Sequence, residues 1–357
     1  MATVSLAPAG DYRTTYRADT TIFPTRNSRI ALWLGVTLVA ASPLVFGRYE
    51  LSLLINIGIM GIAALGLNIL VGFTGQISIG HAAFFGVGAF ASAWLHDSLH
   101  VPVWLAIPLA GVITAIVGLV FGAPAARLKG LYLAIATLAA QFILEDFFAR
   151  ARWFTGGVAG RLTEPLELFG FAFDREETYV YVVLFFVIIM FAAAANLMRT
   201  RDGRALVAVR DHYLSAEIMG INLAYYRTLS FGIASLYAGI AGALYAHYLM
   251  FVSVEAFNIL FSIQFLGMVI IGGLGSIMGS LMGAAFMVLL PEVVQGAADL
   301  LAGGAIDRAL KLGASISYLR EMAIGAAIIA FLIFEPDGLA HRWHLVKAYW
   351  KLYPYSH

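Results

Sequence analysis

The 357-residue chain contains no cysteine. That absence excludes disulfides, thiolate zinc sites, iron–sulfur clusters and a cysteine nucleophile, and it leaves the compartment open. Charge is scarce too. Asp, Glu, Lys and Arg make up 12% of the chain, where soluble domains carry about 25%. Only four lysines occur, Lys129, Lys311, Lys347 and Lys351, and none follows a glycine. There is accordingly no G-x-x-x-x-G-K-S/T phosphate loop, and if ATP drives this protein, another chain binds it. Neither an Asn-Pro dipeptide nor a T-V-G-Y-G run is present, which removes the signatures of water-channel half-helices and of potassium filters. A net charge of +1 gives no polyanion field and no case for nucleic acid. His96 and His100 flank Asp97 at a spacing that can hold a metal on one helix face. Pro102 follows them, so a solvated helix end is expected instead, and no metal site. No catalytic residue is expected either: Glu145 and Asp146 are adjacent, point to different helix faces and have no third partner.

What the chain does have is apolar surface. Hydrophobic residues make up 61% of it, and so little charge cannot keep that much oil dispersed in water. An all-α integral membrane protein is expected. Against a requirement of about 20 apolar residues per span, ten segments qualify or nearly do: 30–46, 51–71, 81–95, 103–123, 131–148, 179–197, 228–250, 258–271, 277–290 and 318–334. The third, eighth and ninth are short, so the expected number of spans runs from eight to ten. Cytoplasmic loops should be rich in Lys and Arg. With an arm over residues 1–29 placed inside (Arg13, Arg17, Arg26, Arg29), Arg127 and Lys129 fall inside. So do Arg199, Arg201, Arg204, Arg210 and Arg227, and the tail over 336–357 with Arg342, Lys347 and Lys351. The loop over 149–178, which carries five acids, falls outside. Ten spans over 30–335 with both termini cytoplasmic satisfy every loop. The arm lacks the apolar core of a signal peptide, and Asp11 and Asp19 do not suit a transit peptide.

A repeat sits at the short spans. The first half reads Gly72-Phe73-Thr74-Gly75-Gln76-Ile77-Ser78-Ile79-Gly80-His81-Ala82-Ala83-Phe84; the second reads Gly272-Gly273-Leu274-Gly275-Ser276-Ile277 and reaches Ala284-Ala285-Phe286. Each has a pair of glycines three apart, a small polar residue and an Ala-Ala-Phe helix start, and each joins two abutting spans. Broken helices of this kind are tolerated in a membrane, and their pairing in two halves points to a transport route. Tight helix packing by small residues is the plainer alternative. Gly72, Gly75, Gln76, Ser78, His81, Gly272, Gly275 and Ser276 are the candidate pathway residues. Span interiors otherwise hold neutral amides and hydroxyls, among them Asn56, Asn68, Thr137, Gln141 and Gln264. A proton- or sodium-coupled carrier usually carries a buried ionisable group, so a secondary carrier is disfavoured.

The segment over 199–226 mixes Ala205, Val209, Ile218 and Met219 with Arg204, Arg210, Asp211 and Glu217. It reads as short amphipathic helices, the second ended by Gly220. Such helices either dock on a cytoplasmic partner or rest on lipid headgroups.

The run from Gly66 to Gly86 closely resembles the LivM-type permease of branched-chain amino acid ABC importers. The resemblance continues through Arg127–Leu138, Thr155–Gly160, Arg210–Asn222, Gly239–Ala246 and the second glycine motif, covering about residues 50–335. It implies two permeases (this type with a LivH-type paralogue, or two copies), two ATPases that bind ATP–Mg, and an extracytoplasmic substrate-binding protein, all at the inner (plasma) membrane. This chain would hold no cofactor. The resemblance also implies that Ser215-Ala216-Glu217 to Gly220 docks on an ATPase, with Arg210 and Asp211 at its entry. Here Ser-Ala-Glu stands where ABC importers at large have Glu-Ala-Ala. The implied cargo is a branched-chain or related apolar amino acid; urea, short amides or aromatic acids are the alternatives within the same importer type. An ATP-independent channel or carrier is the rival from another class. Free N–H groups at the helix breaks are expected to suit a substrate carboxylate.

Overall fold

The structure, a computed structural model, describes residues 26–128, 130–168, 170–301 and 312–352. Most of the expected N-terminal arm therefore lies outside the described residues. The chain forms α1 (Arg26–Ala40), α2 (Arg48–Asn68), α3 (His81–Leu99), α4 (Val103–Ala125), α5 (Leu131–Arg150) and α6 (Glu176–Arg199). Two short helices follow, α7 (Arg201–Asp211) and α8 (Tyr213–Ile218). Then come α9 (Leu223–Leu249), α10 (Ile259–Gly272), α11 (Ile277–Leu301), α12 (Leu312–Phe334) and α13 (Gly338–Leu352). Nine of the ten expected spans coincide with helices; the first, 30–46, is α-helical only as far as Ala40. Among the described residues six helices, α2, α4, α5, α6, α9 and α11, are each long and apolar enough to cross a membrane. A seventh span results if α12 and α13, bent by 50°, count as one. The number ten is thus not reached by length and composition. The physical reason lies in the breaks: α10 has only 14 residues because Gly272 and Gly273 end it.

Helices α2 and α9 form the centre. In their most apolar stretches 83% and 78% is buried, against 28% for α6 and α11. Close backbone approach makes this possible where α3 crosses α9. A Cβ on Gly242 would stand 1.9 Å from the Phe85 carbonyl oxygen, and one on Gly88 would stand 2.2 Å from that of Gly239. Small residues at a crossing let two helices pack backbone to backbone, which is how helices associate when lipid gives no hydrophobic drive. On its other sides α2 receives Val183 of α6 at Gly58, Leu281 of α11 at Gly61 and Tyr237 of α9 at Gly66.

Contacts sort the helix ends into two groups. At one end Arg48 lies 3.7 Å from Glu177, Tyr49 bonds Glu292, and His96 meets Glu164 at 2.9 Å. Strand β1 (Arg161–Leu162) pairs there with a strand over Phe251–Val252, and a small hairpin joins Leu166–Leu168 to Phe171–Phe173. Arg161 also bonds Asp97 and holds its carboxyl below the usual carboxylate range. At the other end Gly72 meets Gly275, Arg227 donates to the Ala126 carbonyl at 3.3 Å, and Gly338 packs on Gly273.

Candidate functional site: the junction of two broken helices

The two glycine motifs meet each other. Helix α2 widens into a five-residue π turn over Ile69–Phe73. Thr74 Oγ1 closes it on the Ile69 carbonyl at 2.8 Å, and Gly75 then takes φ 70°. Helix α10 ends at Gly272; Gly273 and Gly275 take φ 112° and 76°. Positive φ at Gly75 and Gly275 is the backbone form that other residues avoid, so the repeat is one of conformation as well as composition. A Cβ on Gly72 would stand 2.3 Å from the Gly275 nitrogen. The halves differ beyond the breaks. In the second, α11 starts at once; in the first, residues 75–80 run without helix to α3. Ala82-Ala83-Phe84 opens α3 as expected, but Ala284-Ala285-Phe286 lies two turns inside α11.

Asn68 clasps the junction. It is fully buried. Its Nδ2 donates to the Ser276 carbonyl and to Ser280 Oγ, both at 2.8 Å, and its Oδ1 accepts from the Gly275 N–H at 2.8 Å. Arg210 reaches the same point from α7. Its guanidinium donates to the Gly72 carbonyl at 2.7 Å and to Asp211 at 2.8 Å, and its stem lies against Gly75. Gly72, Gly75, Gly275 and Ser276, expected on a pathway, and Arg210, expected at a docking surface, are thus one cluster. Sequence reading noted Asn68 only as one neutral polar residue among several. The signal that could have singled it out is its place one helical turn before Gly72.

The other pathway candidates lie around this cluster. Gln76 is buried, and its Nε2 donates to Ser230 Oγ at 2.6 Å and to the Arg227 carbonyl at 3.3 Å, while its Oε1 has no partner. Ser78 Oγ is buried and also lacks one. His81 Nε2 bonds the Ala63 carbonyl at 2.9 Å, and its ring stands edge-on to Phe265. Gly272 packs against the Gly279 carbonyl and not into the junction. At the start of α3, the N–H groups of Ile79, Ala82 and Ala83 donate to Thr137 Oγ1, Ser262 Oγ and Gln141 Oε1 at 3.0, 2.9 and 2.9 Å. Gln141, itself buried, spends its Nε2 on the Phe257 carbonyl and Glu145. These three donors, at a break where free N–H groups are expected for a carboxylate, are therefore engaged.

The expected amphipathic helices are present. Thr200 caps α7 by accepting the Gly203 N–H at 3.2 Å, and α7 buries Ala205, Leu206 and Val209. Helix α8 is held by Ala216, and Gly220 ends it at φ 86° with the Ile221 N–H on the Ala216 carbonyl at 3.0 Å. Ser215, Glu217 and Gly220 face outward, and Ile218 and Met219 are 86% and 81% exposed. Asp97, His96 and His100 form no metal group, and among the described residues no cluster of three or more His, Asp or Glu exists that could hold one.

A helical bundle whose two internal breaks are clasped together at one end has the paired broken helices found in membrane transport proteins. The chain belongs to the family described as branched-chain amino acid transport system / permease component, whose model matches residues 50–333. It is 28% identical over 340 residues to the high-affinity branched-chain amino acid transport system permease protein LivM of Salmonella typhimurium, covering 88% of this chain and 75% of that one. To LivM of Escherichia coli K12 it is 28% identical over 328 residues, covering 85% and 73%. A probable LivM of Methanocaldococcus jannaschii is 27% identical over 333 residues, covering 86% and 94%. No solved structure matches the chain.

Proposed function

We propose that the chain is the permease subunit of an ATP-driven ABC importer for branched-chain or related apolar amino acids, without enzymatic activity of its own. In this reading its partners are a second permease (a LivH-type paralogue or a second copy), two ATPase subunits carrying ATP–Mg, and a substrate-binding protein on the outer side. The Arg-rich end, with both termini, faces the cytoplasm, following the loop-charge rule. Cargo passes near the junction along Gly72, Gly75, Gln76, Ser78, His81, Gly275 and Ser276, with Gly272 ending α10 behind them. Helix α8 docks on the ATPase through Ser215, Glu217 and Gly220, with Ala216 seating it on the bundle; Arg210 and Asp211 carry its motion inward.

One observation carries the coupling: the 2.7 Å bond from Arg210 to the Gly72 carbonyl. It joins the element that would touch the ATPase to the backbone of the break itself, so displacement of α7 and α8 moves the junction. Rigid-body motion of packed helices between two arrangements is the usual form of such gating. The relatives' names and the aliphatic interior support the choice of cargo.

The test is uptake by vesicles holding the chain with its genomic neighbours. Leucine uptake should require ATP, the ATPase and the binding protein. Leucine equilibrating through this chain alone would replace the importer with a channel or carrier. ATP-driven uptake of urea, a short amide or an aromatic acid in preference would keep the importer and change its cargo.

A further inference from the structure

At the end of the bundle opposite the junction, a short strap over residues 161–164 bridges the ends of α3 and α9. Three bonds fix it to α9. The Thr163 N–H donates to the Met250 carbonyl at 3.0 Å, Thr163 Oγ1 donates to the Ala246 carbonyl at 2.7 Å, and His247 Nδ1 meets the Glu164 carbonyl at 2.7 Å. Two side chains fix it to α3. Arg161 donates to Ser98 Oγ at 2.9 Å and bonds Asp97, and His96 meets the Glu164 carboxylate at 2.9 Å. None of these groups has a place in the pathway or in the coupling route.

His96 differs from the rest in needing a proton. Its Nδ1 lies 2.9 Å from the Val101 carbonyl and its Nε2 2.9 Å from Glu164 Oε2. A carbonyl and an ionised carboxylate only accept, so both ring nitrogens must carry hydrogen. A neutral ring would turn one lone pair onto an oxygen. With the proton on Glu164 instead, the count is the same: the contact holds one proton that a neutral ring beside a carboxylate lacks. His247, whose ring centre stands 6.4 Å from that of His96, needs none. Its Nδ1–H serves the Glu164 carbonyl, and its Nε2 accepts from Ser92 Oγ at 2.8 Å. The other charged or titratable groups here are Asp97, Arg161 and His100, and Arg161 pairs with Asp97. Burial pulls the His96 pKa down, but the bonds to Glu164 and Val101 outweigh it and leave the pKa above its ordinary value. The Glu164 side chain is 77% exposed, so the proton can come from solvent.

We propose that His96 and Glu164 form a proton-operated latch that fastens the strap across the ends of α3 and α9. A proton held more tightly in the fastened state gives the sign. Fastening is fully favoured below the ordinary histidine value of about 6.5 and is lost as pH rises through the fastened value. Arg161 keeps its charge throughout and acts as the pivot. Helices α3 and α9 already touch backbone to backbone at Gly88 and Gly242, so a fastened end restrains α3 at a second place. Since α3 follows the first break, acid at this end should slow its motion and with it uptake. The effect on uptake rests on the importer reading; the latch itself does not.

The test is hydrogen exchange of the assembled complex in nanodiscs, read by mass spectrometry on the segment carrying Thr163. Rates corrected for intrinsic chemistry are compared at about pH 5.5 and about pH 8, on either side of the histidine range. Protection should be about fivefold higher in acid, the factor that a well-placed exposed ion pair contributes. His96→Gln and Glu164→Ala should each remove the difference and leave the lower protection at both pH values. Glu164→Ala keeps the carbonyl that His247 uses and the His96–Val101 bond, so it decides the matter if His96→Gln fails to fold. His100→Gln should keep the difference. Equal protection at both pH values in the unaltered chain overturns the latch, as does a difference that survives Glu164→Ala.

Uptake gives the second readout. In vesicles with this end in acid, Glu164→Ala should take up leucine faster than the unaltered chain, and the two should converge in alkali. Equal or slower uptake in acid overturns the latch as a control on transport. If no leucine enters in any variant, the cargo assignment falls, and hydrogen exchange alone decides the latch.

Discussion

Asn68 and Arg210 show how much a single side chain can hold in an apolar bundle. Asn68, fully buried, satisfies the Gly275 N–H and bonds the Ser276 carbonyl. Replacing it with Leu strands the Gly275 N–H, and a buried unpaired group costs about 1–3 kcal/mol, while the Ser276 carbonyl keeps the Ser280 N–H at 3.3 Å. Asn68→Asp is nearly the same size but turns the donating nitrogen into an oxygen facing the Ser276 carbonyl. We expect Asn68→Asp to destabilise at least as much as Asn68→Leu. A thermal scan of the detergent-solubilised chain measures this, and an unaltered midpoint for Asp would refute the clasp. Arg210→Ala should separate two properties that would otherwise fail together. The ATPase should still copurify, because Arg210 points into the junction, while ATP hydrolysis proceeds without leucine uptake. Loss of ATPase association in that variant would return Arg210 to the docking surface. Gly75 and Gly275 both hold positive φ, so Val at either should abolish uptake while the chain still inserts; normal uptake by both variants would leave the breaks as packing features.

Among the elements, α8 carries the sharpest contrast between readings. Its single buried residue, Ala216, holds it on the bundle, and Glu217, Ile218 and Met219 are left outward. On an ATPase surface, loss of a hydrogen-bonded charge costs about 2–5 kcal/mol. On anionic lipid, an added positive charge is favourable by about 1 kcal/mol. The two settings give opposite signs for Glu217→Lys. We expect that substitution, and Gly220→Leu at φ 86°, to lose ATPase copurification and substrate-stimulated hydrolysis while binding-protein contact survives. Intact association with both would place α8 on the membrane surface. The α3–α9 crossing behaves differently, because there the obstacle to a side chain is backbone. Gly242→Val meets the Phe85 carbonyl oxygen, and overpacking of this kind costs about 1–3 kcal/mol or more. A loss of monodisperse protein is expected, with insertion retained.

For the whole molecule the open quantity is orientation, and the absence of cysteine gives a clean labelling background. Leu162 is 78% exposed on β1, whereas Leu166 is 6% exposed and would stay hidden from any reagent. Leu162→Cys should react with an impermeant maleimide in intact cells, and Leu214→Cys, 59% exposed on α8, only after lysis. The reverse pattern would invert the molecule and move the Arg-rich end outside.

Much of this was legible in the sequence because the signals are local or additive. Too little charge for so much apolar surface fixes the solvent; glycine spacing fixes the breaks; and Gly220 ends α8 where its conformational freedom predicts. None of these needs to know what lies across the bundle. What pairs across it was decided by the tertiary structure alone. Asn68 and Ser280 are 212 positions apart, and Arg210 and Gly72 are 138, so no spacing rule could bring them together. The same holds for the donors at the start of α3, free in the sequence argument and occupied by Thr137, Ser262 and Gln141 once the helices pack. Local chemistry determines which groups a segment offers, whereas their partners depend on helix crossings set by the packing of the whole chain.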